Sequence, residues 1–266
     1  MYVLETRTLT TSKLPLPSAQ LKRPGQPPVL QVYSPKILPL RQLQTRLKGR
    51  IRKLHQRKPS PFHLRISYDL VVTSDARFLP KDFKGIPRLQ IRAGPAFGTG
   101  EHATTRLCLR YVVQFMRKQG SRLKSCRVLD LGCGTGVLAL AAARLGAKVE
   151  GWDNDSVAVQ EANRNLKLNR LGTRVCFRVR DVLRDSVPPA NLIVANLYDH
   201  LLLHLLPRLE SHRRAGTTLI LSGILKGQEN GIIRTARKLG WHLTRRGRLS
   251  RWLCLQFSSV SGTQAR

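Results

Sequence analysis

Acidic side chains are scarce in this chain. Fifteen Asp and Glu stand against 47 Lys and Arg, a formal charge of +32 over 266 residues. A field of that sign favours polyanions such as RNA or an anionic membrane face, and it is silent about fold. Cysteine is also sparse: Cys108, Cys126, Cys133, Cys176 and Cys254 are odd in number and form no C-x-x-C pair. That excludes a disulfide framework and a zinc knuckle, and fits a reducing compartment. Four of the five lie in apolar strand or helix patterns, where a free thiol packs as a small hydrophobe. Long apolar runs are missing too. VLALAAA and LLLHLL fall far short of the ~20 residues of a membrane-spanning helix. No secretory apolar region opens the sequence. Its first residues are basic and hydroxyl-rich, as transit peptides are, but Glu5 and the nearby prolines argue against one. The expected setting is cytoplasmic, with no membrane partner.

What is present is a core. The hydrophobic fraction is 41%, ordinary for a globular protein and sufficient for one large domain or two small ones. Residues 1–60 read as a basic, proline-rich extension, partly disordered, with no α+β pattern. Within it RQLQTRLKGRIRKLHQRK (Arg41–Lys58) places Leu43, Leu47, Ile51 and Leu54 at helical spacing, which predicts one basic surface helix. Residues 61–92 read as a linker with short strands, HLRISYDLVVT and PRLQIRAG.

From residue 93 to 266 strands and helices alternate. TTRLCLRYVVQFMRKQ is a helix with Thr104 or Thr105 placed to cap it. CRVLDLG, KVEGWDND, RVCFRVRD, ANLIVANL and TTLILSGI are strands, mostly continuously apolar. Helices fall in TGVLALAAARLG, SVAVQEANRNLKLN, KGQENGIIRTARKLG and YDHLLLHLLPRLESHR, the last with a kink expected at Pro207. WHLTRR and RWLCLQFSS close the chain as a strand pair. The pattern predicts an α/β domain: a doubly wound, mostly parallel seven-stranded sheet ending in an antiparallel hairpin. Ligands of such sheets bind beyond the C-terminal ends of the strands.

The strand ends therefore carry the chemistry. The first strand runs into Asp130-Leu131-Gly132-Cys133-Gly134-Thr135-Gly136. Its G-x-G-x-G spacing is tighter than the G-x-G-x-x-G of dinucleotide enzymes, which argues against a NAD-dependent dehydrogenase. Backbone at Gly132 and Gly134 can approach a ligand closely, with no helix N-terminus aimed at a pyrophosphate. The next strand ends in Asp153, where a carboxylate can accept both hydroxyls of a ribose. The third ends in Asp181, able to meet an adenine amino group. Taken singly each has a plain structural reading: Asp130 as a loop brace, Asp155 as a helix cap. In order across three strands they describe an adenosine pocket without phosphate recognition, and S-adenosylmethionine is the ligand that fits. Trp152 has two readings, an adenine border or core.

This constellation resembles the class I S-adenosylmethionine-dependent methyltransferases. Within them, AFGTGEHATTRLCL, VLDLGCGTGVLALAA, VANL, LSGIL and RWLCLQF, in that order, resemble the family that methylates large-subunit ribosomal protein eleven. The likeness covers roughly residues 90–258. It implies cofactor contacts at Thr105, Gly132, Asp153 and Asn196, of which only Thr105 is not already marked by strand position. It also implies that the Asn196 side-chain oxygen and the Leu197 carbonyl hold an amine toward the methyl group. The Asn-Pro-Pro-Tyr form common in amine methylation is absent, and Tyr198 stands one place earlier than its tyrosine. Asp199 has two readings: orienting or deprotonating the amine, or favouring the dipole of a helix first turn. His102 could order the Gly94–Arg106 loop, GPAFGTGEHATTR, or face substrate. That loop lacks the Lys-Ser/Thr of a P-loop and is expected to fold over the methionine end of the cofactor. Glu101 and Ala103 depart from the family's Thr and Pro, and Tyr198-Asp199-His200 replaces small apolar residues. His200 and His204 lie four apart on a helix without the third ligand of a zinc site, so no metal is expected. The family's separate N-terminal folded domain has no counterpart in the pattern of residues 1–60.

The expected reaction is methyl transfer to lysine or N-terminal amines of a ribosomal protein, on the free protein or on an assembling ribosome, with possible rRNA contact through the basic surface. Alternatives of other classes are an rRNA or tRNA methyltransferase, a methyltransferase of another protein or a small amine, and a non-catalytic binding module.

Overall fold

A computed structural model describes residues 2–6, 18–21, 29–34, 38–53, 61–92 and 98–259. The chain divides into two compact units, residues 1–60 and 61–266.

In the first unit β1 (Tyr2–Thr6), β2 (Ser18–Leu21), β3 (Val29–Ser34) and β4 (Arg50–Lys53) pair in the order β2-β3-β1-β4, all antiparallel. Helix α1 (Leu38–Leu47) supplies Leu40, Leu43 and Leu47 to a small core with Leu4, Leu30 and Val32. The hydroxyl of Thr6 donates to the Leu47 carbonyl. The expectation of no α+β pattern is therefore corrected for the described residues. The single basic helix is corrected as well. It stops at Leu47, where Lys48 takes a left-handed φ of 45° and Gly49 follows. The side chain of Gln44 closes the end by donating to the Gly49 carbonyl at 3.0 Å. Ile51 then lies on a strand and packs on the same core, so the spacing Leu43-Leu47-Ile51 arises without one continuous helix. Leu54 and the prolines at 15, 17, 24, 27, 28 and 35 lie outside the described residues.

The second unit opens with β5 (His63–Ser67), β6 (Leu70–Thr73) and β7 (Arg88–Gln90) in one three-stranded sheet. Residues 61–92 are not a linker. Leu70, Val72, Leu89 and Ile91 are buried in the same core as the helices that follow. Two buried asparagines lock this segment down. Asn169 accepts from Gln90 N at 2.8 Å and donates to Gln90 O at 2.7 Å, while Asn165 accepts from Arg92 N at 3.0 Å.

After α2 (Ala103–Gln119), the chain alternates as expected: β8 (Arg127–Leu131), α3 (Val137–Arg144), β9 (Lys148–Asp153), α4 (Ser156–Asn169), β10 (Val175–Val179), β11 (Leu192–Asn196), α5 (Asp199–Leu205), β12 (Thr218–Leu225), α6 (Glu229–Lys238), β13 (Trp241–Leu249) and β14 (Trp252–Ser259). A 3-10 helix takes over from α5 at Leu206, beside Pro207, whose missing N–H cannot continue an α-helix. The seven-stranded order is β10-β9-β8-β11-β12-β14-β13, parallel except for β14.

Alternation along the strands divides the core. Val128, Val149, Leu192, Val194 and Ile220 pack with α2, α3 and α4 on one face. Leu129, Leu131, Ile193, Ala195 and Leu221 pack with α5 and α6 on the other. Each large side chain buried this way contributes about 1.5–3 kcal/mol. Winding runs outward from β8 to β10, then restarts at β11 on the other side of β8. That reversal opens a crevice beyond the ends of β8 and β11.

Candidate active site

The crevice is a cavity of about 580 Å³. Its floor is the turn after β8. The N–H groups of Gly132 and Cys133 both donate to the Trp152 carbonyl at 2.8 Å, bending the chain sharply off the strand. Gly132 has φ +75°, and a Cβ there would stand 2.3 Å from the Leu197 side chain. At Gly136, with φ +79°, a Cβ would come within 2.5 Å of the Phe177 ring. These two positions demand glycine twice over, by conformation and by space.

Beneath the turn, Asp130 is buried and accepts from Ala139 N at 3.0 Å, so it does brace the loop. Burial, with a smaller contribution from the Asp153 charge, pushes its carboxyl up to about 7. Its second oxygen is buried without a partner. Asp153 ends β9 and lines the cavity. One of its oxygens accepts from Gly134 N at 2.8 Å and the other from Asp155 N at 3.0 Å. A carboxylate offers about four lone-pair directions, so two remain for a ligand. Asp155 caps α4 through Val157 N at 2.8 Å. Asp181, just beyond β10, accepts from Leu183 N at 2.8 Å, and Val182 and Leu183 add an apolar wall.

β11 supplies the opposite wall. Asn196 is its last residue, and Leu197 N donates to Ser222 O at 3.1 Å. The Leu197 carbonyl lies flat against Gly223, where a Cβ would stand 2.1 Å from its oxygen. Gly223 has φ +87° and is the extra residue of an irregularity between Ser222 and Ile224 in the β12–β14 pairing. The bulge is what makes room for Leu197.

The cavity thus brings together Gly132, Gly134, Asp153, Asp181, Asn196 and Leu197. Two expected residues stand apart. Thr105 is fully buried in the first turn of α2, its hydroxyl without a partner, while its neighbour Thr104 lines the cavity. Asp199 sits in the first turn of α5, its carboxylate 3.9 Å from His200 Nδ1, the position that favours the helix dipole. The cap of α2 is neither threonine: His102 Nδ1 accepts from Thr104 N and lies 2.8 Å from the Thr104 hydroxyl. Trp152 belongs to the core, its indole N–H donating to Glu150 at 2.7 Å. Tyr198 lines the mouth, well exposed and stacked on His200.

Among the lining residues that escaped the sequence reading as site residues are Thr104, Gly223 and Trp252. The Trp252 ring meets the His102 ring edge-on at 5.0 Å. An isolated glycine inside the apolar run of β12 was the available signal for Gly223, since such a glycine marks a bulge or close backbone approach. The two glycine loops also touch directly. The Thr135 hydroxyl donates to the Gly98 carbonyl at 2.6 Å. Of the GPAFGTGEHATTR stretch, Gly94–Phe97 lie outside the described residues.

The strand order, the G-x-G-x-G floor and the strand-end acids define a class I methyltransferase fold. The model of the ribosomal protein L11 methyltransferase family (PrmA) matches residues 58–259, and this chain belongs to that family. The ribosomal protein L11 methyltransferase of Desulfitobacterium hafniense is 35% identical over 168 residues, 63% of this chain and 52% of that protein. That of Desulforapulum autotrophicum is 35% identical over 198 residues, 73% and 62% of the two chains. A crystal structure of ribosomal protein L11 methylase from Lactobacillus delbrueckii subsp. bulgaricus superposes with a TM-score of 0.63 at 28% identity, covering 74% of this chain and 98% of that one. This chain spans about half to three fifths of the length of the two curated relatives.

Proposed function

We propose that this chain is an S-adenosylmethionine-dependent N-methyltransferase acting on lysine or N-terminal amines of a large-subunit ribosomal protein, in the cytoplasm. One observation carries the reading. The Asn196–Leu197 strand end, its backbone held against Gly223, shares a single cavity with the glycine floor and two strand-end carboxylates.

The residues present fit the cofactor. Gly132 leaves its Cα bare beside the cavity, and Asp153 keeps two lone-pair directions for the ribose hydroxyls. Asp181 with Val182 and Leu183 would border the adenine. Bound S-adenosylmethionine supplies an electrophilic methyl group on a sulfonium centre. Asp153 and Asp181 complement that positive charge in a lining that also holds Arg180 and the apolar Val182, Leu183 and Leu201. Asn196 and the Leu197 carbonyl accept hydrogen bonds from the substrate amine and aim its lone pair. A lysine of ordinary pKa near 10.4 is protonated at pH 7, and removing that proton costs roughly 4.6 kcal/mol. Desolvation in the cavity lowers the amine pKa and offsets part of the cost, so no strong base is needed. Positioning supplies much of the remainder.

The direct test is to incubate the full chain with labelled cofactor and undermethylated ribosomes and identify the modified residue by mass spectrometry. Label in the protein fraction is expected; label in rRNA would replace this reading with the RNA methyltransferase one. Asn196→Ala should lower kcat by about a hundredfold with little change in cofactor affinity. An equal loss in both would remove its amine-holding role.

A further inference from the structure

One wall of the cavity has no helix or strand behind it. Arg180, Asp181, Val182 and Leu183 line the cavity, and residues 180–191 between β10 and β11 belong to neither kind of element. No ladder holds this wall, so side chains must satisfy and orient its main chain.

Asp185 does most of that work. One oxygen of its carboxylate accepts from Asp181 N at 2.8 Å, and the other accepts from Arg180 Nη1 at 3.1 Å. In return Asp185 N donates to the Asp181 carbonyl at 2.8 Å. Both main-chain polar groups of Asp181 are therefore held by one residue, which fixes the direction in which the Asp181 side chain leaves the backbone. The Asp181 carboxylate is set further by Leu183 N at 2.8 Å, with exposed Arg184 Nε at 3.4 Å. Bonds to an ionised carboxylate are roughly twice as strong as neutral ones, so the Asp185 side chain is a firm clasp.

The clasp is anchored at both ends. On one side Arg180 N donates to the Asp153 carbonyl at 3.0 Å, which ties the wall to the end of β9. On the other, Arg208 Nη2 donates to the Asp185 carbonyl at 2.7 Å. Buried His212 places Nε2 at 3.1 Å from the carbonyls of both Val187 and Pro188. Arg208 and His212 belong to the 3-10 helix that follows α5, so Asp185 joins that helix to the cavity wall.

We propose that Asp185 is a positioning residue that gives the cavity its preference for an aminopurine: it aims the Asp181 carboxylate at the exocyclic amino group of adenine. Asp185 acts through Asp181 and is not itself a lining residue. The inference rests on the adenine contact of Asp181 proposed above and names what enforces it. Sequence spacing marks Asp181 by its place at a strand end, whereas Asp185 carries no such mark.

The test is calorimetric binding of S-adenosylhomocysteine and S-inosylhomocysteine to the full chain. The second ligand carries an oxygen where the first carries the amino group, and an aspartate aimed there rejects it. The parent should prefer the adenosyl ligand by about tenfold or more. Asp185→Ala should weaken that ligand by about tenfold and reduce the preference to less than about threefold. Asp185→Asn keeps an oxygen for Asp181 N but loses the ion pair, and should lower the preference by about threefold. Circular dichroism reports the fold of both variants. A preference unchanged in Asp185→Ala overturns the proposal. So does equal weakening of the two ligands, the mark of a wall merely loosened. Should Asp185→Ala not fold, Asp185→Asn decides, and an unchanged preference there overturns the proposal. A parent that binds the two ligands equally removes the Asp181 contact and this proposal together. A parent that discriminates, with Asp185→Ala discriminating as well, removes this proposal alone.

Discussion

The C-terminal ends of the strands and the α6–β13 face are opposite answers to one composition. Six of the fifteen acids, Asp130, Asp153, Asp155, Asp181, Asp185 and Asp199, lie at or just beyond the ends of β8, β9, β10 and β11. The α6–β13 face has Glu229 alone, already paired with Arg246. Each pocket acid has work that a neutral side chain does poorly: bracing a turn, capping a helix, accepting backbone N–H groups, or facing the cavity. On the cationic face the side chains lie in solvent and brace little. Scarcity therefore concentrates acid where geometry needs an acceptor, and leaves the α6–β13 face with cations in large excess.

The largest effect expected on the pocket side comes from Gly223→Ala. Its methyl would displace the Leu197 carbonyl, and a shift near 1 Å at a positioning group lowers turnover by about a hundredfold. Near-normal kcat would mean that this carbonyl does not orient the amine. Asp130→Asn probes the buried acid. The raised native pKa means the folded state binds the extra proton, so Asp130 costs no stability below about pH 4. The penalty then grows as pH rises to about 7 and stays constant above it. The variant should flatten the stability profile between pH 5 and 8 by roughly 2 kcal/mol, read from denaturation midpoints. A profile as steep as the parent's would place the titration elsewhere. Asp153→Asn should weaken cofactor binding by about tenfold in calorimetry, the loss of one charge-assisted hydrogen bond; unchanged affinity would overturn the ribose contact. Smallest of all, cofactor affinity should change by less than about twofold between 50 and 300 mM salt, because the ligand is small and carries little net charge. A steeper salt dependence would erase the contrast between the two regions.

Much of the pocket was legible in the sequence. Asp153, Asp181 and Asn196 end apolar strands, and a parallel sheet gathers such ends at one crevice. Gly132 and Gly134 announce a tight turn by spacing alone. Thr105 was carried by resemblance; the helix phase instead turns Thr104 to the cavity and Thr105 to the core. The sheet of residues 2–53 was missed because its strands are short and its pairings antiparallel between separated segments. Its basic helix was overextended because Leu43, Leu47 and Ile51 satisfy a helical period while belonging to two elements.

By itself the sequence determined the alternation of strand and helix, the glycine turn, and the residues at the strand ends. Periodicity and turn chemistry act between neighbours along the chain, and neighbours are what a sequence displays. Only the tertiary structure decided that β14 inserts between β12 and β13, which brings Trp252 to the cavity and edge-on to His102. It also decided that Gly223 bulges beneath Leu197. Those outcomes depend on which distant segments pack together and in what register, a balance of burial and space that no local pattern records.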